Sequence, residues 1–471
     1  MATLPTSLVT DSDRRQLQHR RQGLMERVST PILLWAGAAS PRNFAANTFP
    51  FRASSHFLYF AGLPLENAVL GFKEGETTLF MDEEPASATL WHGASPHPQE
   101  WAELLGVEVQ ASLDQLKAWI TADTATIAVQ DVATRNQQAH WLQRSVETAR
   151  SPHALDLALT EAVIDLRLCQ DSMGLAQMET AAEISMAAHR AGMESTRLTL
   201  AAGGTEAGIR SALESVFLDH DVTSAYTSIV TVHGEVLHNN AYHHVLRAGD
   251  LLLVDAGAET KLGWAADITR TWPVSGQFSP TQKAIYEVVL GAHDAAIAAL
   301  QPGVEYERIH LLAAEVLAAG LVDLGILRGN PEDLVETDAH SLFFPHGIGH
   351  LLGLDVHDME DLGDRAGYAP GRSRSDRFGL GYLRLNRPLQ TGMVVTIEPG
   401  FYQVPALLAD ADRRERYREQ VNWERLEQFA DVRGIRIEDD VRITAEGAQV
   451  LTAGLPTTVA EVEAIVQAGT E

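Results

Sequence analysis

The chain has 471 residues and is strongly acidic, with 36 basic against 63 acidic residues and a formal net charge of −27. Such a charge favours solubility and argues against nucleic acid or an anionic membrane as a partner. The length allows two or three domains. Cys169 is the only cysteine, which excludes an intrachain disulfide, and we find neither an apolar leader nor an apolar run of about 18 residues. We therefore expect a cytoplasmic protein.

The first third of the chain predicts a separate α/β domain. The basic stretch RRQLQHRRQGLMERV is typical of an amphipathic helix. Five strand-like segments follow, with helical stretches such as SLDQLKAWITA between them: TPILLWAG, HFLYFAGL, AVLGF, TTLFMD and TATIAVQ. This alternation favours a mixed or parallel sheet covered by helices. We place the boundary near residue 166, so that the domains span residues 1–165 and 166–471.

The second domain carries clear helix signals. Ser279, Pro280 and Gln282 resemble an N-cap, a first-turn proline and a capping box, which predicts a helix through TQKAIYEVVLGAHDAAIAAL. Thr458 and Glu461 predict the start of a final helix, VAEVEAIVQAG. The segment GIRIEDDVRIT alternates apolar and charged residues, which predicts a strand with one face in water.

Two Asp, one His and two Glu lie in apolar, strand-like surroundings of this domain. They are Asp255 in LLLVDAGAE, Asp267 in ADITRTWP, His350 in HGIGHLLGL, Glu398 in VVTIEPGFY and Glu438 in GIRIEDDVRIT. A single such acid is commonly a turn or surface residue, but a whole set among apolar neighbours needs partners. This donor set suits two divalent metal ions that share carboxylates and turn a trapped water into hydroxide. The pattern therefore predicts a hydrolase.

The order of the candidate ligands and the segments HGIGHLLGLDVHD, TIEPGFY and GIRIEDD resemble those of the pita-bread metallopeptidases, in particular the branch of aminopeptidase P and prolidase. The segment FPFRASSHFLYFAGLPLENAVLGF is similar to the N-terminal domain of aminopeptidase P. The resemblance implies an α/β (α+β) protein, with an N-terminal mixed-sheet domain followed by a catalytic pita-bread domain. One departure from the family is the spacing of Asp255 and Asp267, which is one residue longer than usual and which a hairpin loop can absorb.

The resemblance also implies a role for each ligand. Asp255 would bind one ion and His350 the other, together with Glu398, while Asp267 and Glu438 would bridge both. The ions would be Mn²⁺, although oxygen-rich ligation with one imidazole suits Co²⁺ and Zn²⁺ as well.

Further residues follow from the same resemblance. Glu398 would double as the general base, His238 and His357 would line the substrate pocket, and His346 would lie near the substrate or behind a ligand. Arg436 would hydrogen-bond near a bridging carboxylate. A lone histidine is more often a surface or core residue, but several near one ligand favour proton transfer or oxyanion stabilisation. Three more histidines match no family role and are expected at the surface: His233, His243 and His244.

Substrate choice depends on two further positions. Trp91 in LWHG resembles a tryptophan that aminopeptidase P receives from a neighbouring subunit, which implies a homo-oligomer, a dimer or tetramer; its alternative is core packing. Arg384 lies 14 residues before Glu398, where prolidase has an arginine that binds a dipeptide carboxylate; its alternative is a surface charge. The long insertion between Glu398 and Glu438 is also prolidase-like.

We favour an aminopeptidase that removes the residue before proline from proline-containing peptides, with prolidase as the alternative. Two further hypotheses are a metal-free binding protein of this fold and a metal-free hydrolase of the creatinase type. Both types lack the acidic ligand set that this chain retains.

Overall fold

The computed structural model describes residues 9–148 and 152–469, which form two compact units. The first unit ends at Met173 and also takes in Met359–Ala366. The second unit spans Gly174–Asp358 and continues from Gly367. Within the described ranges, the protein has no helix that combines the length and the apolar character needed to cross a membrane.

The first unit contains a mixed sheet with helices, as the sequence predicts. Its helices are α1 (Asp11–Arg27), α2 (Ser55–Ala61), α3 (Thr89–His92), α4 (Pro98–Leu105), α5 (Leu116–Trp119), α6 (Val132–Leu142) and α7 (Ala154–Arg167). Its strands are β1 (Ile32–Trp35), β2 (Pro41–Phe44), β3 (Asn47–Thr48), β4 (Val69–Lys73), β5 (Glu76–Phe80), β6 (Val109–Ala111) and β7 (Ala125–Thr126). The main sheet has the order β6-β5-β4-β1-β7. Strand β4 pairs antiparallel with β1 and with β5, β6 pairs parallel with β5, and β7 pairs parallel with β1.

One predicted strand of this unit is wrong. The segment HFLYFAGL forms helix α2, and every residue of that helix is buried. A short apolar run that is buried on all sides has no periodicity that could distinguish a helix from a strand. Gly62 ends the helix with φ +84, a left-handed conformation that glycine adopts without steric cost.

The second unit combines helices with small antiparallel sheets. Its helices are α8 (Ser172–Ala201), α9 (Glu206–Asp219), α10 (Pro280–Ala298), α11 (Tyr306–Asp323), α12 (Pro331–Glu336), α14 (Pro405–Leu408), α15 (Ala411–Arg416), α16 (Trp423–Glu427) and α17 (Val459–Ala468). The short helix α13 (Asp364–Gly367) belongs mostly to the segment Met359–Ala366 of the first unit. Its strands are β8 (Thr223–Ser224), β9 (Ile229–Thr231), β10 (Leu251–Asp255), β11 (Ala258–Glu259), β12 (Thr269–Pro273), β13 (Val394–Ile397), β14 (Gly400–Tyr402), β15 (Gly434–Arg436), β16 (Asp439–Thr444) and β17 (Gly447–Val450).

The predicted capping signals are confirmed. Ser279 accepts a hydrogen bond from the backbone of Gln282, whose side chain accepts one from the Ser279 backbone, so the capping box of α10 is complete. Thr458 accepts a hydrogen bond from the Glu461 backbone at the start of α17.

The sheets of the second unit bring the ends of distant segments together. Strands β12, β10 and β9 form one antiparallel sheet, and β13, β16 and β17 form another. An isolated antiparallel bridge joins Thr269, at the start of β12, to Glu438. A second bridge joins Leu351 to Val395 in β13. Segments far apart in sequence therefore meet around one region.

The predicted wet face of GIRIEDDVRIT is wrong. Arg436, Glu438, Asp439 and Asp440 are all buried. A strand with alternating apolar and charged residues has one face in water if its charged side chains have no partners inside the protein. Here two charged residues of the segment form ion pairs inside the protein: Arg436 pairs with Asp255, and Asp439 pairs with Arg270.

Candidate active site

A cavity of about 480 Å³ in the second unit is lined by all five predicted metal ligands. Its lining also includes the predicted residues His238, His346, His357, Arg384 and Arg436. Part of the wall is apolar and comes from Leu237, Phe378, Val404 and Leu407. A concave site with an apolar wall and convergent polar groups has the features expected of a substrate pocket.

Asp255 is held at the end of β10 by two side chains. The Arg436 guanidinium donates to Asp255 Oδ2 at 2.6 Å, and the Tyr226 hydroxyl lies 2.5 Å from Asp255 Oδ1. Tyr226 also contacts Asp267 Oδ1. A hydroxyl carries one hydrogen, so Tyr226 can donate to only one of these carboxylates at a time. The two acids therefore need a further proton or cation between them.

Asp267 and Glu438 are brought together by the crossing of their segments. Thr269 Oγ1 donates to Glu438 Oε2 at 2.7 Å, and the Glu438 amide donates to the Thr269 carbonyl at 3.0 Å. The hairpin before Asp267 packs tightly against the strand end that carries Asp255. A Cβ on Gly257 would lie only 1.7 Å from the Ala266 carbonyl oxygen, so the close approach requires glycine there.

The orientation of His350 suits a metal ligand. Its Nδ1 lies 3.0 Å from the Leu351 carbonyl, which can only accept, so Nδ1 carries the hydrogen. The lone pair then lies on Nε2, which is 3.4 Å from Asp267 Oδ2 and 3.8 Å from Glu398 Oε1. The preceding residue, Gly349, packs closely against the backbone of Thr396, and a Cβ on Gly349 would lie only 2.2 Å from the Thr396 carbonyl oxygen.

The buried carboxyl groups disfavour ionisation of one another. Burial, and next the charge of Asp255, raise the pKa of Asp267 well above its usual range. Burial and the charge of Asp267 do the same to the pKa of Glu438. Burial raises the pKa of Glu398 to about 7, although His350 and Arg436 act in the opposite direction. Such a cluster of acids is stable as carboxylates only if positive charge compensates it.

The residues present fit divalent metal ions. Asp267, His350 and Glu438 each offer one ligand atom, and these atoms lie within 4.8 Å of one another. Carboxylate oxygens with one imidazole are donors that Mn²⁺, Co²⁺ and Zn²⁺ accept. The raised pKa values and the shared hydrogen of Tyr226 both indicate that cations would relieve the repulsion.

His346 lines the cavity and takes part in a hydrogen-bond network with Tyr402 and Arg436. Its Nδ1 lies 2.8 Å from the Gly347 carbonyl, so Nε2 accepts from the Tyr402 hydroxyl at 2.9 Å. Tyr402 in turn accepts from Arg436 at 3.0 Å. Burial and the charge of Arg436 lower the pKa of His346 to about 3, so the ring is neutral at physiological pH.

His238 and His357 face the cavity from different segments. His238 lies on the loop after β9 and lines the cavity, where partial shielding of the ring from water and the charge of Arg436 lower its pKa. His357 is half-buried, and its ring centroid lies 4.4 Å from that of His350 in an edge-on arrangement. Both histidines therefore line the space in front of the ligands.

The surface assignment of three histidines is only partly right. His243 is exposed, but His233 and His244 are half-buried and their ring centroids lie 4.3 Å apart. His244 Nδ1 also lies 2.9 Å from the carboxylate of the fully buried Glu206. The three rings lie next to one another in tilted arrangements, and none of them lines the cavity.

Arg384 and Trp91 lie in different units. Arg384 is half-buried and lines the cavity, so the surface-charge alternative does not apply to it. Trp91 belongs to α3 of the first unit and is 76% exposed, which excludes the alternative of core packing.

The sequence did not indicate several side chains that hold the predicted site residues. Tyr226, Thr269 and Tyr402 each bond directly to a predicted site residue. Thr269 lies two positions after Asp267, which puts it on the same side of the chain in extended backbone and could have identified it. Tyr226 and Tyr402 carry no such local signal, because their contacts depend on how distant segments meet.

The fold and these side chains together define the class of protein. Metal-compatible acids and a histidine line one cavity together with further histidines and arginines. This arrangement is that of a metal-dependent hydrolase.

Comparison with known proteins identifies the family. Residues 176–445 match metallopeptidase family M24, and residues 17–128 match the N-terminal domain of aminopeptidase P. The chain belongs to metallopeptidase family M24, in its aminopeptidase P branch.

Three similar proteins illustrate the relationship. An Xaa-Pro aminopeptidase of Escherichia coli is 31% identical, over 98% of this chain and 99% of its own length. A human Xaa-Pro dipeptidase is 30% identical, over 98% of this chain and 93% of its own length. The structure of the aminopeptidase PepP of Pseudomonas aeruginosa matches with a TM-score of 0.79 and 30% identity, covering 100% of this chain and 99% of the other.

Proposed function

We propose that this chain is a metal-dependent exopeptidase that hydrolyses the N-terminal Xaa-Pro bond of peptides. The observation that carries the proposal is the meeting, in one cavity, of Asp255, Asp267, His350, Glu398 and Glu438. The Xaa-Pro aminopeptidase of Escherichia coli, similar over nearly the full length of both chains, supports the substrate class.

In this proposal the five residues hold two divalent ions, for which we propose Mn²⁺. Asp255 would hold one ion, His350 and Glu398 would hold the other, and Asp267 and Glu438 would contribute to both. When bound, two such ions lower the pKa of water and stabilise the negative charge that develops during hydrolysis. The donor set, which is mostly oxygen with one imidazole, supports Mn²⁺ but also suits Co²⁺ and Zn²⁺.

The protein's own groups would move protons and orient the substrate. Glu398 would act as the general base, and its carboxylate lines the cavity together with the other proposed ligands. His357 and His238 would donate hydrogen bonds to the developing oxyanion or to the leaving group. Arg436 would hold Asp255 in place through its 2.6 Å contact. His346, with both ring nitrogens bonded, would fix Tyr402 and Arg436.

The alternative is a dipeptidase that cleaves only Xaa-Pro. The similarity to the human Xaa-Pro dipeptidase favours it, as does the presence of Arg384 in the cavity wall. Both enzymes must act on a bond to proline, whose nitrogen carries no hydrogen and whose φ is fixed. They differ in whether the peptide continues beyond proline.

The test is cleavage of Xaa-Pro against Xaa-Pro-Yaa peptides, with and without added Mn²⁺. We expect metal-dependent cleavage with a preference for the longer peptides. A protein that cleaves dipeptides alone would establish the alternative. A purified protein that binds no divalent metal and cleaves neither peptide would instead support a metal-free member of the fold.

Replacing Arg384 with alanine separates the two activities further. If Arg384 binds the carboxylate of a dipeptide, Arg384→Ala should weaken Xaa-Pro cleavage by about 10–100-fold, because a charge-assisted hydrogen bond contributes about 1.5–3 kcal/mol. Cleavage of Xaa-Pro-Yaa should change far less, since its carboxylate lies further along the peptide. The measurement is kcat/KM on matched peptides.

The control for this experiment is Arg418→Ala, because Arg418 is an arginine of the same unit that is exposed and does not line the cavity. It should leave both activities unchanged. If Arg384→Ala lowers kcat/KM equally for both peptides, Arg384 does not bind the carboxylate of the dipeptide.

We also propose that the protein is cytoplasmic and forms a homo-oligomer. The support for assembly is the exposed Trp91, at a position that resembles a tryptophan supplied to a neighbouring subunit. Light scattering of the purified protein should give the mass of a dimer or tetramer. A monomer at micromolar concentration would remove this role from Trp91.

A further inference from the structure

Arg270 is a fully buried arginine in β12, three residues after Asp267. Its guanidinium has five N–H donors, and five acceptors surround it. They are the carbonyls of Thr269 (3.1 Å), Glu438 (2.7 Å), Leu455 (2.9 Å) and Pro456 (3.1 Å) and the Asp439 carboxylate (2.8 Å). The arginine therefore uses its complete donor set inside the protein.

Two of these acceptors lie where the segments of the proposed bridging ligands cross. Arg270 Nη1 donates to the carbonyls of both Thr269 and Glu438. The Glu438 amide also donates to the Thr269 carbonyl. One nitrogen thus contacts both backbones beside Glu438 and close to Asp267.

The guanidinium is held by Asp439, which in turn is held by two further side chains. Asp439 Oδ1 accepts from Arg270 and from the Thr452 hydroxyl at 2.5 Å, and Asp439 Oδ2 lies 3.0 Å from His293 Nε2. Asp439, Thr452 and His293 are all buried. A buried ionic network of this kind is seldom the most stable way to fill a core, since apolar residues of equal volume commonly stabilise as much or more. Its geometry therefore needs another explanation.

We infer that Arg270 is a positioning residue, which sets the separation of Asp267 and Glu438 and through it the affinity of the site for divalent cations. The inference rests on the proposed function, because it assumes that these two acids bind metal. Arg270 does not line the cavity, so it has no contact through which to act on the substrate. Its effect should therefore fall on metal binding and leave substrate binding unchanged.

The test is Arg270→Lys, with Co²⁺ as the probe. Lysine keeps the charge but has three donors, so at least two of the five acceptors lose the hydrogen bond that Arg270 gives them. Loss of a group that orients metal ligands typically weakens metal affinity by about 10–100-fold. We expect that loss in competition with a chromophoric chelator, a changed visible spectrum of bound Co²⁺, and an unchanged KM at saturating Co²⁺.

A matched control is Arg21→Lys. Arg21 is also buried and donates to three carbonyls, those of Phe60, Leu105 and Gly106, but it belongs to the first unit. It should lower the unfolding temperature without changing Co²⁺ affinity. A loss of Co²⁺ affinity in Arg21→Lys equal to that in Arg270→Lys would overturn the inference.

A folded Arg270→Lys that binds Co²⁺ with wild-type affinity would also overturn it. If Arg270→Lys does not fold, Asp439→Asn decides, because an amide lacks the negative charge with which Asp439 binds the buried Arg270 guanidinium. Several-fold weaker Co²⁺ binding in folded Asp439→Asn supports the inference, and wild-type affinity refutes it. Failure of the wild-type protein to bind Co²⁺ would instead refute the proposed metal site.

Discussion

Replacing Glu438 with alanine should abolish peptide hydrolysis and release the bound metal. Glu438 is the proposed ligand of both ions, so neither ion keeps a full set of ligands without it. The carboxylates of Asp267 and Glu398, whose pKa values are already raised by burial, would then face each other with less compensating charge. Metal content by elemental analysis and turnover of an Xaa-Pro-Yaa peptide measure the two losses.

Thermal unfolding provides a readout of Glu438→Ala that does not depend on activity. A cation that binds only the native state stabilises it by about 2.7 kcal/mol at a hundredfold excess over Kd. Added Mn²⁺ should therefore raise the unfolding temperature of the wild type and leave that of the variant unchanged. Glu446→Ala is the matched control, because Glu446 is exposed in the turn between β16 and β17. A Glu438→Ala protein that holds two metal equivalents and turns over normally would remove Glu438 from the site.

Segments with strong local signals could be predicted from the sequence. The capping box at Ser279 and the cap at Thr458 are formed by residues within one helical turn, so the chain itself specifies them. The strand carrying Asp255 also follows from its continuous β-prone run. Helix α2 could not be predicted in this way, since its burial on every side is a property of the packed unit and not of the segment.

The surroundings of the site were less predictable than its candidate ligands. The segment of Glu438 was expected to have a face in water, but its charges are buried against Arg270 and Asp255. Those partners lie more than 160 positions away in sequence. No local pattern indicates such pairs, because they depend on how β12, β15 and β16 meet. The contacts of Tyr226 and Tyr402 likewise depend on distant segments, so no local pattern predicts them.

Replacing His357 with alanine should lower turnover by about 10²–10³ while both metal ions remain bound, which is the typical cost of losing one hydrogen-bond donor to a developing oxyanion. The ring lines the cavity and packs edge-on against His350 without being one of the proposed ligands. Because the expected loss occurs in the transition state, kcat and kcat/KM should fall together.

The matched control for His357 is His220→Ala, which removes an exposed histidine of the same unit at the end of α9. It should match the wild type in kcat, metal content and unfolding temperature. The decisive comparison for His357→Ala is turnover at equal metal content, because His357 contacts the ring of a proposed ligand and its loss could disturb His350. If metal and activity fall in parallel and excess Mn²⁺ restores both, then His357 supports His350 and does not act on the substrate. If metal content stays at two equivalents while kcat falls, His357 acts in the chemical step, and unchanged turnover would make it a structural residue.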